Sequence, residues 1–338
     1  MLETSSAPTR VAMSPELNEI ILNIYRLAQD APTDEFQVRA LELASFILPF
    51  DSCRWGMALK YEEHQLAIQS AYEYREMPGV LEAYIEVLGQ DLVGLAAAAH
   101  PGTTINANAR ELCEDQPDRA AYLDYLCRFR HENMLVTGMV APSGSARSIS
   151  YYRRDKDDRF KERERQLCQA LFPHMMEALT INLRIGLAQF QGIGNSTRWP
   201  LAMCDCNGVI LYAEPDFLAL LTAQWPEMKM SRLPATLINT LLVQRQPKHA
   251  SDRVFVCIGL RQDKVVYLKA RPRHTIDSLS PRELQVAKLV AKGMKFKEIA
   301  ITLQLAPTTV RNHIQRIHDR LGTRSNAELA AQLTMALP

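Results

Sequence analysis

Between Pro307 and Leu321 the chain reads Pro-Thr-Thr-Val-Arg-Asn-His-Ile-Gln-Arg-Ile-His-Asp-Arg-Leu, a run rich in side chains that present hydrogen-bonding groups in a fixed plane. A guanidinium fits the two acceptors on the edge of a guanine, and a carboxamide fits the donor and acceptor of an adenine. Arg311, Asn312 and Gln315 are therefore candidate readers of base edges. Thr308, Thr309, His313 and Arg316, with Lys295 and Lys297 just upstream, are of the types that hold phosphates, which adds affinity without sequence choice.

Such side chains read nothing unless one face of their element is free. Val310, Ile314, Ile317 and Leu321 recur at spacings of 4, 3 and 4, the pattern of a helix with one buried stripe, and this leaves Thr308, Thr309, Arg311, Asn312, Gln315 and Arg316 outside. Pro307 starts that helix and Gly322 stops it. Upstream, Ser280-Pro281-Arg282-Glu283 has the hydroxyl, proline and glutamate of a capping box, opening a helix that ends at Gly293. A further helix is expected over Lys297 to Leu303, followed by the three-residue turn Gln304-Leu305-Ala306. Two helices joined by a short turn, the second with Arg, Asn and Gln outside, fit the geometry that enters a major groove. Charge is segregated to match. Residues 276–338 carry nine Lys/Arg against five Asp/Glu, a net +4 in a chain of +1, so the preceding 275 residues are net −3.

Across Leu279 to Leu329 the sequence resembles the LuxR/GerE-type helix-turn-helix family, on Leu279-Ser280-Pro281-Arg282-Glu283, Val286, Gly293, Lys297-Glu298-Ile299-Ala300, Leu303, Thr309-Val310-Arg311, His313-Ile314, Arg316-Ile317, Leu321-Gly322 and Ser325. The resemblance implies a four-helix unit binding double-stranded DNA as a homodimer, with Pro307–Leu321 in the groove and Asn326–Leu337 available for pairing. Three positions depart from the family pattern. Lys295 stands where a capping Ser or Thr is usual, Phe296 where Asn is usual, and Ala306 where a capping Ser is usual. A lost cap costs about 0.5–2 kcal/mol.

The first 275 residues divide by pattern into a region over 14–191 and a second over 197–273, leaving 275–338 for the helix-turn-helix. The first opens with helices at Pro15 and over Phe36 to Leu48, continues through strands at Cys53–Lys60 and Leu66–Tyr74 and a helical stretch from Gly79 to Ala99, and returns to strands at Met134–Ala141 and Ser148–Arg153. It closes on a long helix over Phe160–Phe190, with a kink or restart expected at Pro173. The second reads strand, Asn207-Gly208 turn, strand, helix, then two more strands. Gly192–Ser196 is a candidate linker. The first region is similar to a GAF-type sensory domain and the second, from Asp205 to Tyr212, to a PAS-type domain. The expected class is α+β: antiparallel-sheet sensory domains followed by an all-α four-helix unit. Cys53, Trp55, Met57, Tyr72 and Tyr74 alternate along two adjacent strands, and two readings stand for them: wall of a small-molecule cavity, or core.

Other chemistry lacks the residues it needs. His100-Pro101-Gly102 and His131-Glu132-Asn133 belong to no HExxH, no GxSxG or phosphate loop is present, and Asp155-Lys156-Asp157-Asp158 lacks the glycine and distant glutamate of a calcium loop. Cys204-Asp205-Cys206 has no second ligand pair, and the seven cysteines suit reduced thiols. No phosphoacceptor aspartate or acidic pair marks a receiver domain. The expectation is a cytoplasmic, non-enzymatic regulator without metal or cofactor and without a membrane span. Its rival is a protein-interaction regulator whose C-terminal unit binds another transcription factor.

Overall fold

The computed structural model describes residues 15–62, 65–113, 119–140, 145–191, 199–228, 231–262 and 265–336. The linker at Gly192–Ser196 and the Ser143-Gly144 turn lie outside them.

The first sheet is five-stranded and antiparallel, built from β1 (Ser52–Glu62), β2 (Gln65–Tyr74), β3 (Thr104–Asn108), β4 (Asn133–Val140) and β5 (Ser145–Arg153) in the order β2-β1-β5-β4-β3. One face packs on α1 (Pro15–Asp30), α2 (Phe36–Ser45) and the first half of α7 (Glu162–Gln191). The other is roofed by α3 (Val80–Val87), α4 (Leu92–Ala99) and α6 (Ala120–Arg128), with the short α5 (Ala109–Cys113) leading into α6. The helical stretch expected from Gly79 to Ala99 is thus two helices. Asp91 divides them: its carboxylate accepts from the backbone of Val93 and Gly94 at 3.0 Å each and caps α4.

No restart occurs at Pro173. Helix α7 runs through it for 30 residues. The expected break fails because the helix is buried on both sides of the proline, by Leu171, Phe172, Met175 and Met176, so packing outweighs one lost backbone bond.

The end of α7 reaches the second sheet, where β6 (Leu201–Asp205), β7 (Ile210–Ala213), β8 (Lys248–Ala250), β9 (Val254–Gln262) and β10 (Val265–Pro272) run β7-β6-β10-β9-β8, again antiparallel. Leu183, Leu187 and Phe190 pack on Leu201, Met203 and Tyr267. Gly259 makes room: a Cβ there would stand 2.0 Å from the Phe190 ring. The opposite face is covered by α8 (Pro215–Gln224) and by α9 (Ala235–Leu237), which continues into a π-helical turn over Ile238–Val243.

A 3-10 turn over Thr275–Ser278 leads into α10 (Pro281–Ala291), α11 (Phe296–Leu303), α12 (Pro307–Leu321) and α13 (Asn326–Ala336), which share one apolar core. The junction with the second sheet is ionic. Arg271, at the end of β10, donates to both carboxylate oxygens of Asp277 at 2.6 and 2.5 Å, and its guanidinium lies over the Phe255 and Trp199 rings at 4.3 and 4.9 Å. Both partners are buried.

Removing one member of a buried bidentate pair strands the other charge. Arg271→Met is expected to lower stability by about 3–5 kcal/mol, and the double change Arg271→Met with Asp277→Leu by much less. Urea unfolding followed by tryptophan fluorescence, with Trp199 against the pair, measures both; equal losses would refute the account.

Candidate nucleic-acid interface and ligand cavity

Helix α12 forms over Pro307–Leu321 as its stripe predicts: Val310, Ile317 and Leu321 are buried and Ile314 packs against the same core. Thr308, Arg311, Asn312, Gln315 and Arg316 are exposed, as are Lys295 and Lys297 at the start of α11, while Thr309 is half-buried. Arg311 is not loose. Its guanidinium sits 4.8 Å from the centre of the Phe296 ring, so the residue standing where the family pattern has Asn props a candidate base reader. Gln315 shares a long, 3.4 Å bond with Asp319. His313 is the exception among the expected contacts: it is half-buried, with its Nδ1 enclosed and unpartnered, and it faces the Glu283 side of the unit more than solvent.

The capping box at Ser280 is present in both directions, Ser280 N–H donating to Glu283 at 2.8 Å and Glu283 N–H to the Ser280 hydroxyl at 3.3 Å. Glu283 also receives Arg320 from α12 at 2.7 Å, and Arg282 donates to the last carbonyl of α11, Leu303, at 2.7 Å. The ammonium of Lys295 has no acceptor, so only the return half of a box survives there, Lys295 N–H to Glu298 at 2.8 Å. Ala306 offers α12 no side-chain cap. Gln304, at φ 54°, makes the turn between the two helices.

Of the two readings open for the alternating strand residues, cavity wall or core, four of the five side chains lie in core. Cys53, Trp55 and Tyr74 are buried in the core beneath α1, α2 and α7, and Tyr72 packs on the same cluster; Trp55 meets Phe36 and Tyr74 meets Phe50 edge-on. Met57 alone of the five borders open space. That space lies across the sheet, between Arg54, Gly56 and Ala58 of β1 and the roof helices. Alternation is the reason: Cys53 and Trp55 face filled core and Arg54, Gly56 and Ala58 the cavity, while Met57 reaches its edge beside the irregularity in the β1–β2 pairing that follows it.

At its polar end Arg54 is buried. It donates to the hydroxyls of Tyr152 at 2.7 Å and Tyr125 at 3.3 Å, and lies 3.7 Å over the Tyr84 ring. Tyr84 and Tyr122 each donate to Asp91. Burial pushes all four phenols up, Tyr125 to about 12, so each remains a neutral O–H at physiological pH. Sequence reading missed this group because Arg54, Tyr84, Asp91, Tyr122, Tyr125 and Tyr152 come from β1, α3, the cap of α4, α6 and β5; the Asp91 cap was its one local signal. Among the described residues no group of three or more His, Cys, Asp or Glu is arranged to hold a metal, and no helix is long and apolar enough to cross a membrane.

Residues 277–333 match the profile of bacterial regulatory proteins of the luxR family. A probable HTH-type transcriptional regulator of Streptomyces halstedii, GfsR, is 36% identical over 104 residues, 27% of this chain and 41% of that protein. The transcriptional regulatory protein UhpA of Escherichia coli is 44% identical over 57 residues, 17% of this chain and 29% of UhpA. The matched parts thus span less than half of these curated relatives. Among solved structures, Escherichia coli SdiA aligns over 94% of this chain and 96% of its own at 10% identity, with a TM-score of 0.38.

Two outcomes follow from the caps. Ala306→Ser is expected to raise the thermal stability of the C-terminal unit by about 0.5–2 kcal/mol, read from helical circular dichroism. The Ser280 N–H and hydroxyl, helped by Arg320 and His313, hold the Glu283 carboxyl below its ordinary range. A depressed carboxyl adds stability above its unfolded pKa of about 4.3 and loses it as pH falls through the folded value. Glu283→Gln should therefore flatten the acid side of the stability profile, and an unchanged profile would remove the box from the account.

Proposed function

We propose that this chain, whose residues 277–333 carry the luxR-family unit, is a transcription regulator that binds double-stranded DNA with α12 in the major groove. The observation that carries this reading is the exposed polar side of α12, where Gln315 stands about one turn beyond Arg311 and Asn312 while the opposite side is fixed in a core. In this reading Thr308, Thr309, Arg316, Lys295 and Lys297 hold phosphates. His313 acts from behind, as packing.

The protein works as a homodimer, since two reading helices related by a two-fold axis match two half-sites one helical turn apart. The regions 14–191 and 197–273, GAF-like and PAS-like, are its sensory part, and the small-molecule site is the Arg54 cavity, not the wall of Cys53, Trp55, Tyr72 and Tyr74. In this reading the chain regulates and does not catalyse, as the named regulators similar to its C-terminal unit support. GfsR and UhpA, both named as transcriptional regulators, support the same direction for the C-terminal unit.

Selected binding sites from a random DNA library, measured by fluorescence anisotropy across salt, test it. Arg311→Ala should cost about 1–3 kcal/mol on the selected site and relax one base position, whereas Lys297→Ala should weaken all sequences alike and reduce the salt slope by about 1. Salt-insensitive or absent DNA binding that persists with bound partner protein would favour the protein-interaction rival.

A further inference from the structure

The Arg54 end of the cavity holds a cation that makes no direct ion pair; its nearest carboxylate, Asp91, is held off by Tyr84 and Tyr122. The guanidinium is buried, and the groups that touch it are the neutral hydroxyls of Tyr125 and Tyr152 and the face of Tyr84. None of the ion pairs among the described residues includes it. Asp91 stands nearby, but both of its oxygens are occupied, by the backbone of Val93 and Gly94 and by the hydroxyls of Tyr84 and Tyr122. A buried cation surrounded by neutral acceptors is unfavourable unless an anion completes it.

Most of the remaining lining is small and apolar: Gly56, Ala58, Ala71 and Ala146 from the sheet and Ala97 and Ala98 from the roof leave a trough, which Arg147, Ser148 and Ser150 also border. Resting on the reading of this cavity as the sensory site, we propose that its ligand is a monocarboxylate: the carboxylate pairs with Arg54, and an apolar body fills the trough. A planar carboxylate matches the two-pronged donor geometry of guanidinium. A phosphate dianion fits less well, because the buried Asp91 carboxylate stands beside the guanidinium.

The test is calorimetric titration of the full chain with butanoate through decanoate and 3-phenylpropanoate, each paired with the primary amide of the same skeleton. At least one acid should bind about 10-fold or more tightly than its amide, and Arg54→Gln should abolish that preference. Arg54→Lys, which keeps the charge and loses the fork, should retain part of it; melting curves of the free variants show whether each is folded. Acids that bind no better than their amides overturn the proposal. If acid and amide bind equally, the sensory cavity stands and only its charge assignment falls. If neither binds, and filling the trough with Gly56→Val leaves DNA affinity unchanged in cell extract and in buffer, the sensory reading falls with it.

Discussion

Successive side chains of β1 leave opposite faces of the first sheet, and helices cover both faces. The odd side chains, Cys53 and Trp55, enter a core closed by α1, α2 and α7. The even side, Arg54, Gly56 and Ala58, meets a roof that does not fill the space above it. One strand thereby contributes to the filled core of the N-terminal unit and to the floor of its cavity. A shift of one residue in its pairing with β5 would exchange the two, placing Arg54 in the apolar core and Trp55 in the cavity. The register is therefore fixed by the cost of either error.

The same helix that closes the odd face also carries the second sheet. Helix α7 begins on Cys168, Leu171 and Met175 in the first core and ends with Phe190 seated over Gly259. A rigid rod buried at both ends transmits displacement better than a linker. From the second sheet the path continues through β10 to Arg271, whose pair with Asp277 fixes the turn that opens the helical unit. Each junction is a packed or ionic contact, and in the proposed reading this is the path by which ligand binding at Arg54 would bias the position of α12.

The helical unit was nearly complete in the sequence because its signals are local. A cap at Ser280, prolines at helix starts, a stripe at 4, 3 and 4 and the stop at Gly322 each act within one turn, and α12 spans the range its residues indicate. The strands of both sheets were legible for the same reason, apart from β3 and β8, which are short and gain their order only from a neighbouring strand. What alternation alone does not disclose is which face of a strand is filled. Cys53, Trp55, Tyr72 and Tyr74 show the aromatic character of either a core or a pocket wall, and the choice is made by helices far along the chain. Pro173 misled in the same way: its local cost is real, but burial on both sides of it decides.

The weak caps on α11 and α12 bear on how the interface works. Lys295 and Ala306 leave first-turn N–H groups without a side-chain acceptor. Other contacts hold these helices instead, from Arg282 to Leu303 and from Arg320 to Glu283. The helix ends that a Ser or Thr would have satisfied internally thus keep their partial positive charge. In the proposed complex those N–H groups and the Lys295 ammonium meet phosphate oxygens, so stability absent from the free unit is recovered on DNA. The net +4 of residues 276–338 against the −3 of the rest adds orientation, since only the helical end of the chain is drawn toward a polyanion.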